Sequence, residues 1–172
     1  MNTDNGLPGL TKTDLLEALK ARTLEATSEI LLPVKPQKGD DGVTERNARV
    51  YIGRLPDMEQ STKKAPYILH RMVNSASKQK PGEQLQTKAI VRSIFCVYCH
   101  DEEEGELLLL GLMERSRISL LKDPLIGNNA FECDFEEGLE DLVYQDNTYP
   151  YYCGEMISTW DMPPIKREVR YW

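Results

Sequence analysis

Histidine is scarce: two in 172 residues, which leaves little imidazole for general acid and base work. No P-loop, glycine-rich dinucleotide turn, G-x-S-x-G elbow or H-E-x-x-H helix occurs. Basic charge is also short. Lys and Arg number 21 against 28 Asp and Glu, for a formal charge of -7, and nothing strongly basic precedes the last few residues. Binding of nucleic acid through a phosphate-neutralising face is therefore not expected. No apolar run approaches the length a bilayer requires. The opening MNTDNGLPGLTKTD lacks the basic and apolar blocks of a signal peptide, so synthesis in a reducing cytosol is expected. Cys96, Cys99, Cys133 and Cys153 then read as thiols, not bridges.

The length fits one domain over 1–172 that buries its own core. Thr11 or Thr13 is placed to cap a helix with the body DLLEALKARTLEATSEI, in which Leu15, Leu16, Leu19 and Leu24 keep near-helical spacing. The stretch 34–47 is rich in turn formers and reads as a mobile, solvated connection. RVYIGRLP and APYILHRMVNS read as short strands, and SASKQKPGEQLQ as a polar loop or hairpin tip, mobile over about 75–87. KAIVRSIFCVYC is the strongest strand: both of its alternating faces are largely apolar, which predicts a central strand covered on each side. ELLLLGLMERSRISLLKDP then puts Leu109, Leu112, Met113, Ser116 and Leu120 on one helical stripe, and Pro124 stops it. AFECDF alternates as a short strand, and the chain ends with a basic tail over 165–172. The fold class expected is α/β of the α+β kind, a mixed, mainly antiparallel sheet with helices packed on it.

Chemistry finds few footholds. Cys96-x-x-Cys99 has the spacing of a redox or zinc half-site, but residues three apart in a strand face opposite sides of the sheet. Buried small hydrophobes are the expected role. Cys99 beside His100, the one adjacent nucleophile and base, fails as a pair for the same reason. The acidic run 101–104 reads as a solvated helix start, since it lacks the alternating ligands and fixed glycine of a calcium loop. Glu136/Glu137 and Glu140/Asp141 fall in polar connections, where desolvation is not expected to raise a pKa. No catalytic residue, metal site or cofactor is assigned.

The aromatic stretch YPYYCGEMISTWDMPP, 149–164, is set among acidic residues, which disfavours a phosphate platform. Alternation sends Gly154, Met156, Ser158, Trp160 and Met162 to one side of a closing strand and Cys153, Glu155, Ile157, Thr159 and Asp161 to the other. Tyr149, Tyr151 and Tyr152 bracket Pro150 and are the better candidates for contact with a neighbour. Arg54, Arg92 and Arg115 stay open between internal ion pairs and subunit contacts.

The order of segments, and above all LLGLMERSRISLLKDPLIG followed by PYYCGEMISTWDMPPIKRE, resembles the tail terminator proteins of long-tailed bacteriophages and related prophages. The resemblance spans roughly 49–168 and contains no catalytic signature. It implies a structural protein of the virion tail, made in the bacterial host cytoplasm, with no cofactor, membrane or nucleic-acid recognition. Its implied partners are copies of itself in a ring, six-fold in the family, the tail tube protein on one side and the head-tail connector protein on the other. A heterologous ring needs two complementary patches per subunit. The acidic stretch 132–146 and the basic end at Lys166, Arg167 and Arg170 offer complementary charge, with Tyr149, Tyr151, Tyr152, Trp160 and Trp172 as apolar contacts. A head-completion or tail-to-head joining protein of the same kind of virion is the alternative.

Overall fold

The computed structural model describes residues 11–36, 44–55, 65–146 and 148–165. Helix α1 (Lys12–Ala26) begins where Thr11 and Asp14 form a reciprocal capping box: the Asp14 amide donates to Thr11 Oγ1 at 3.3 Å, and the Thr11 amide donates to Asp14 Oδ2 at 3.0 Å. It stops four residues short of the expected end. The Thr27 amide and hydroxyl both donate to the Thr23 carbonyl. Leu15, Leu19 and Thr23 form the buried stripe, so Leu24, expected on it, is left 44 % exposed. Helix α2 (Glu102–Lys122) is capped by Asp101, whose carboxylate accepts from the Glu103 and Glu104 amides. Acidic residues in its first turn and Lys122 in its last complement the helix dipole. Its buried stripe contains the expected Leu109, Leu112, Met113, Ser116 and Leu120, with Gly105 added.

The main sheet is mixed and mainly antiparallel, an α+β arrangement. In spatial order β3 (Arg49–Ile52) lies parallel to β4 (Tyr67–Lys78), which pairs antiparallel with β5 (Gln86–Tyr98) and so with β9 (Tyr151–Asp161). The far edge of β9 is shared by β8 (Leu139–Val143) and β7 (Phe131–Cys133), and β6 (Leu125–Ile126) lies outside β7. A separate two-stranded ladder joins β1 (Leu32–Pro33) to β2 (Glu45–Arg46), which puts β2 inside the stretch 34–47 expected to be a solvated connection. The region 75–87 is a hairpin, not a long loop. Lys78 pairs with Gln86 and Ser77 with Thr87, leaving only 79–85 outside the ladder.

Both helices lie on one face of this sheet, over Val91, Phe95, Val97, Met156 and Trp160. The central position of β5 is as expected; the cover on each side is not. Ala89, Val91, Ser93, Phe95, Val97 and Cys99 are buried under the helices, whereas Ile90, Arg92, Ile94 and Tyr98 on the other face are only half-buried. No helix packs there among the described residues. Close approach explains two glycines: a Cβ on Gly105 would lie 2.2 Å from Tyr152 Cε2, and one on Gly154 would lie 2.8 Å from Met113 Sδ. The LLGLMERS and PYYCGEM segments thus interlock where α2 crosses β9.

Candidate interaction surface

The sheet face turned away from the helices carries a second, smaller apolar cluster. Leu55, Ala65, Tyr67, Leu69, Cys96 and Tyr151 form its buried centre, and Tyr51, Ile94, Tyr98 and Cys153 form its half-buried margin. Strand alternation puts these side chains on one face. Tyr51 meets Tyr67 edge-on at 6.4 Å, and Tyr98 meets Tyr151 at 5.8 Å with a 57° tilt, both within the range of favourable aromatic pairs. A cleft of about 540 Å³ opens between Leu55, Tyr67, Leu69 and Ile94, flanked by the exposed Arg54 and Arg71. Burial raises the Tyr67 phenol, so it stays neutral. On the same face Arg92 pairs with Glu155 and donates to the Tyr144 hydroxyl at 3.0 Å.

Cys96 and Cys99 face opposite sides, as strand geometry requires: Cys96 lies in the outer cluster and Cys99 in the main core. The cysteine that Cys96 does meet is Cys153, directly across the β5–β9 ladder. The bonds from Cys99 N to Pro150 O and from Met162 N to Thr87 O fix the alternation of that ladder, making Cys96–Cys153 a non-hydrogen-bonded pair, the closer of the two kinds. The hydrogen bond between the thiols raises Cys96, with burial adding to the shift, and lowers Cys153. Strand alternation already excludes Cys99 as its partner, but local spacing gives no sign of Cys153, because this pair exists only through register. Cys99 is buried beside an exposed His100, so these neighbours do not share a site.

The structure separates the contact residues expected from sequence. Trp160 is fully buried, its indole N–H donating to Ser158 Oγ at 2.8 Å, so it belongs to the core and offers nothing to a partner in this conformation. Tyr151 and Tyr152 are also buried, on opposite faces, because β9 starts at Tyr151 and the irregular backbone expected there ends at Pro150. Tyr149 is 53 % exposed and donates its hydroxyl to the His100 carbonyl at 2.7 Å. Lys166, Arg167, Arg170 and Trp172 lie outside the described residues. Of the arginines left open, Arg92 is held inside the chain, and Arg115 reaches Glu29 at 3.8 Å.

The acidic stretch 132–146 is only partly available to a partner. Asp134 is buried, pairs with Lys88 and caps its own turn by accepting from the Glu136 and Glu137 amides. Asp141 pairs with Arg117 at 3.7 Å, and burial against α2 raises its carboxyl, contrary to the expectation for a polar connection. The reason is that Glu140 and Asp141 belong to strand β8 and not to a connection. Among the described residues no group of three or more His, Cys, Asp or Glu is placed to hold a metal ion, and no helix is long and apolar enough to cross a membrane. Comparison with models of known families finds no match, and comparison with curated proteins finds none either.

Proposed function

We propose that this chain is a tail terminator: a structural protein that assembles as a ring on the last tube ring of a growing phage tail, stops polymerisation and presents a docking face to the head connector. The observation that carries the proposal is the pair of sequence segments that resemble this family. They are the two that interlock to build the centre of the fold, α2 with its proline stop and β9 with its Pro163–Pro164 exit. The mechanism needs shape alone. One end of the ring complements the tube end, the other presents nothing that another tube subunit fits, and addition ceases. A surface able to do this must be open in the single chain. The half-buried aromatic margin with Tyr51 and Tyr98 is such a surface, as is the exposed Tyr149, with tyrosine suited to interfaces because it buries area while keeping a polar end.

The test is electron microscopy of tails assembled with and without the protein. Overlong tubes in its absence, restored to uniform length by the purified chain, support the proposal. Tails of normal length that merely lack heads overturn it in favour of a head-to-tail joining role.

A further inference from the structure

Two of the unpaired edges of the main sheet differ in charge. Strand β3 covers β4 only from Tyr67 to His70; past Met72 nothing pairs with the outer side of β4 among the described residues. At that point the register with β5 shifts from Met72↔Val91 to Asn74↔Ile90. Odd-numbered β5 residues bond β9, so even-numbered ones bond β4, and beyond the bulge Asn74, Ala76 and Lys78 make those bonds. The N–H and C=O groups of Ser75 and Ser77 therefore face outward. No proline blunts this edge, and the bulge lies at its inner end. On the opposite side of the sheet nothing pairs with the outer side of β8 among the described residues either. Its bond from Tyr144 N to Cys153 O shows that even-numbered residues face β9, which turns the backbone of Leu139, Asp141 and Val143 outward.

We infer that these two edges pair with each other between copies of this chain, β4 over 71–78 of one copy against β8 of the next, so that a single sheet runs through successive subunits. This deepens the ring proposal and rests on it. The second copy is chosen as occupant by charge. Over 71–86 the arm carries Arg71, Lys78 and Lys80 against Glu83, a net +2, whereas 136–146 carries five carboxylates and no basic residue. Arg71, Lys78 and Lys80 enter no ion pair among the described residues, and neither does Glu140. Head-to-tail pairing of unlike edges is the heterologous geometry that closes into rings. Backbone bonds supply affinity in this mode, and the charges supply direction.

The test is sedimentation velocity of the full chain across concentration and salt. Association beyond a dimer, weakening as salt rises, is expected. Ser75→Pro removes an outward N–H and no internal bond, and is expected to weaken association at least about tenfold. Ser75→Ala keeps the N–H and should associate like the parent. Lys78→Glu should weaken association, and adding Glu140→Lys in the same chain should restore it, which keeps the test decisive if the proline variant misfolds. A chain that stays monomeric up to about 1 mM, or a folded Ser75→Pro chain together with Lys78→Glu that both associate like the parent, overturns the inference. The two readings fail separately. Edge-paired rings that leave tube length unchanged would sink the terminator role alone, and tubes capped equally well by Ser75→Pro would sink the edge pairing alone.

Discussion

Acid should destabilise this protein through His70 before its carboxylates titrate. The ring is fully buried between α1 and the sheet, with Thr23 Oγ1 2.9 Å from Nε2 and Ser93 Oγ 2.7 Å from Nδ1. The Thr23 hydroxyl already donates to the Leu19 carbonyl at 2.8 Å, so it accepts from Nε2–H, and Nδ1 accepts from Ser93. Both ring nitrogens are thus satisfied in the neutral form, and among the described residues no carboxylate faces the ring to stabilise a cation. Burial lowers the His70 pKa from 6.5 to about 3. Between those values the unfolded chain binds a proton that the folded chain refuses, so stability is complete above 6.5 and falls as the pH drops. The slope approaches about 1.4 kcal/mol per pH unit, giving a loss of about 2 kcal/mol by pH 5. Asp14 and Asp134 are held below the usual carboxylate range, so their contributions are lost only at lower pH. Asp141 and Asp161 are raised and act with the opposite sign. Comparison with His70→Gln removes all four from the difference. Urea titrations between about pH 7.5 and 5 should show the parent losing stability relative to the variant. Parallel curves, or a His70 ring that titrates near neutrality in the folded protein by NMR, would refute the argument.

Other expectations follow from close contacts and from exposure. Gly105→Ala should cost about 1–3 kcal/mol in chemical denaturation, since its methyl carbon would lie 2.2 Å from the Tyr152 ring. Gly111→Ala, on the same helix with open space around it, should be neutral or slightly stabilising. Alkylation of the native protein by iodoacetamide, followed by peptide mass mapping, should label Cys153 first, because it is half-exposed and its thiol is lowered by Cys96. Cys133, pushed up to about 12 by burial, and Cys96 should react only on unfolding. Tyr149→Ala should weaken capping of tail tubes at least several-fold in a tube-length assay while leaving the urea midpoint unchanged; unchanged capping would remove Tyr149 from the tube contact.

What could be read from sequence was whatever a single local period fixes. The α2 stripe repeats at helical spacing and declares its buried face without reference to the rest of the chain, whereas KAIVRSIFCVYC declares a central strand but, with two largely apolar faces, not which one the helices cover. Strand β8 was missed because LEDLV carries two carboxylates in five residues and is a strand only by pairing with the edge of β9. Trp160 and Tyr149 belong to one aromatic stretch, yet one is fully buried and the other exposed. The difference is set by where β9 begins against β5, a non-local fact. Register likewise made Cys153 the neighbour of Cys96, and placed Ser93 and Thr23 on the two nitrogens of His70. Local pattern carries no information about any of these.

The same register fixes how a ring of such chains would be polarised. Strand β5 runs from Gln86 beside the hairpin tip to Tyr98 beside Tyr151, so the tip at 79–85 and the cluster of Tyr149, His100 and Asp101 lie at opposite ends of the sheet. If edges join the subunits, these ends become the two axial faces. One would present Pro81, Gly82 and the arm lysines. The other would present an exposed tyrosine beside the acidic first turn of α2. Two chemically unlike axial faces are what termination requires, because a tube end complementary to one has no reason to bind the other. Strand polarity, shared by every copy in a head-to-tail ring, guarantees that all subunits show the same end to the tube.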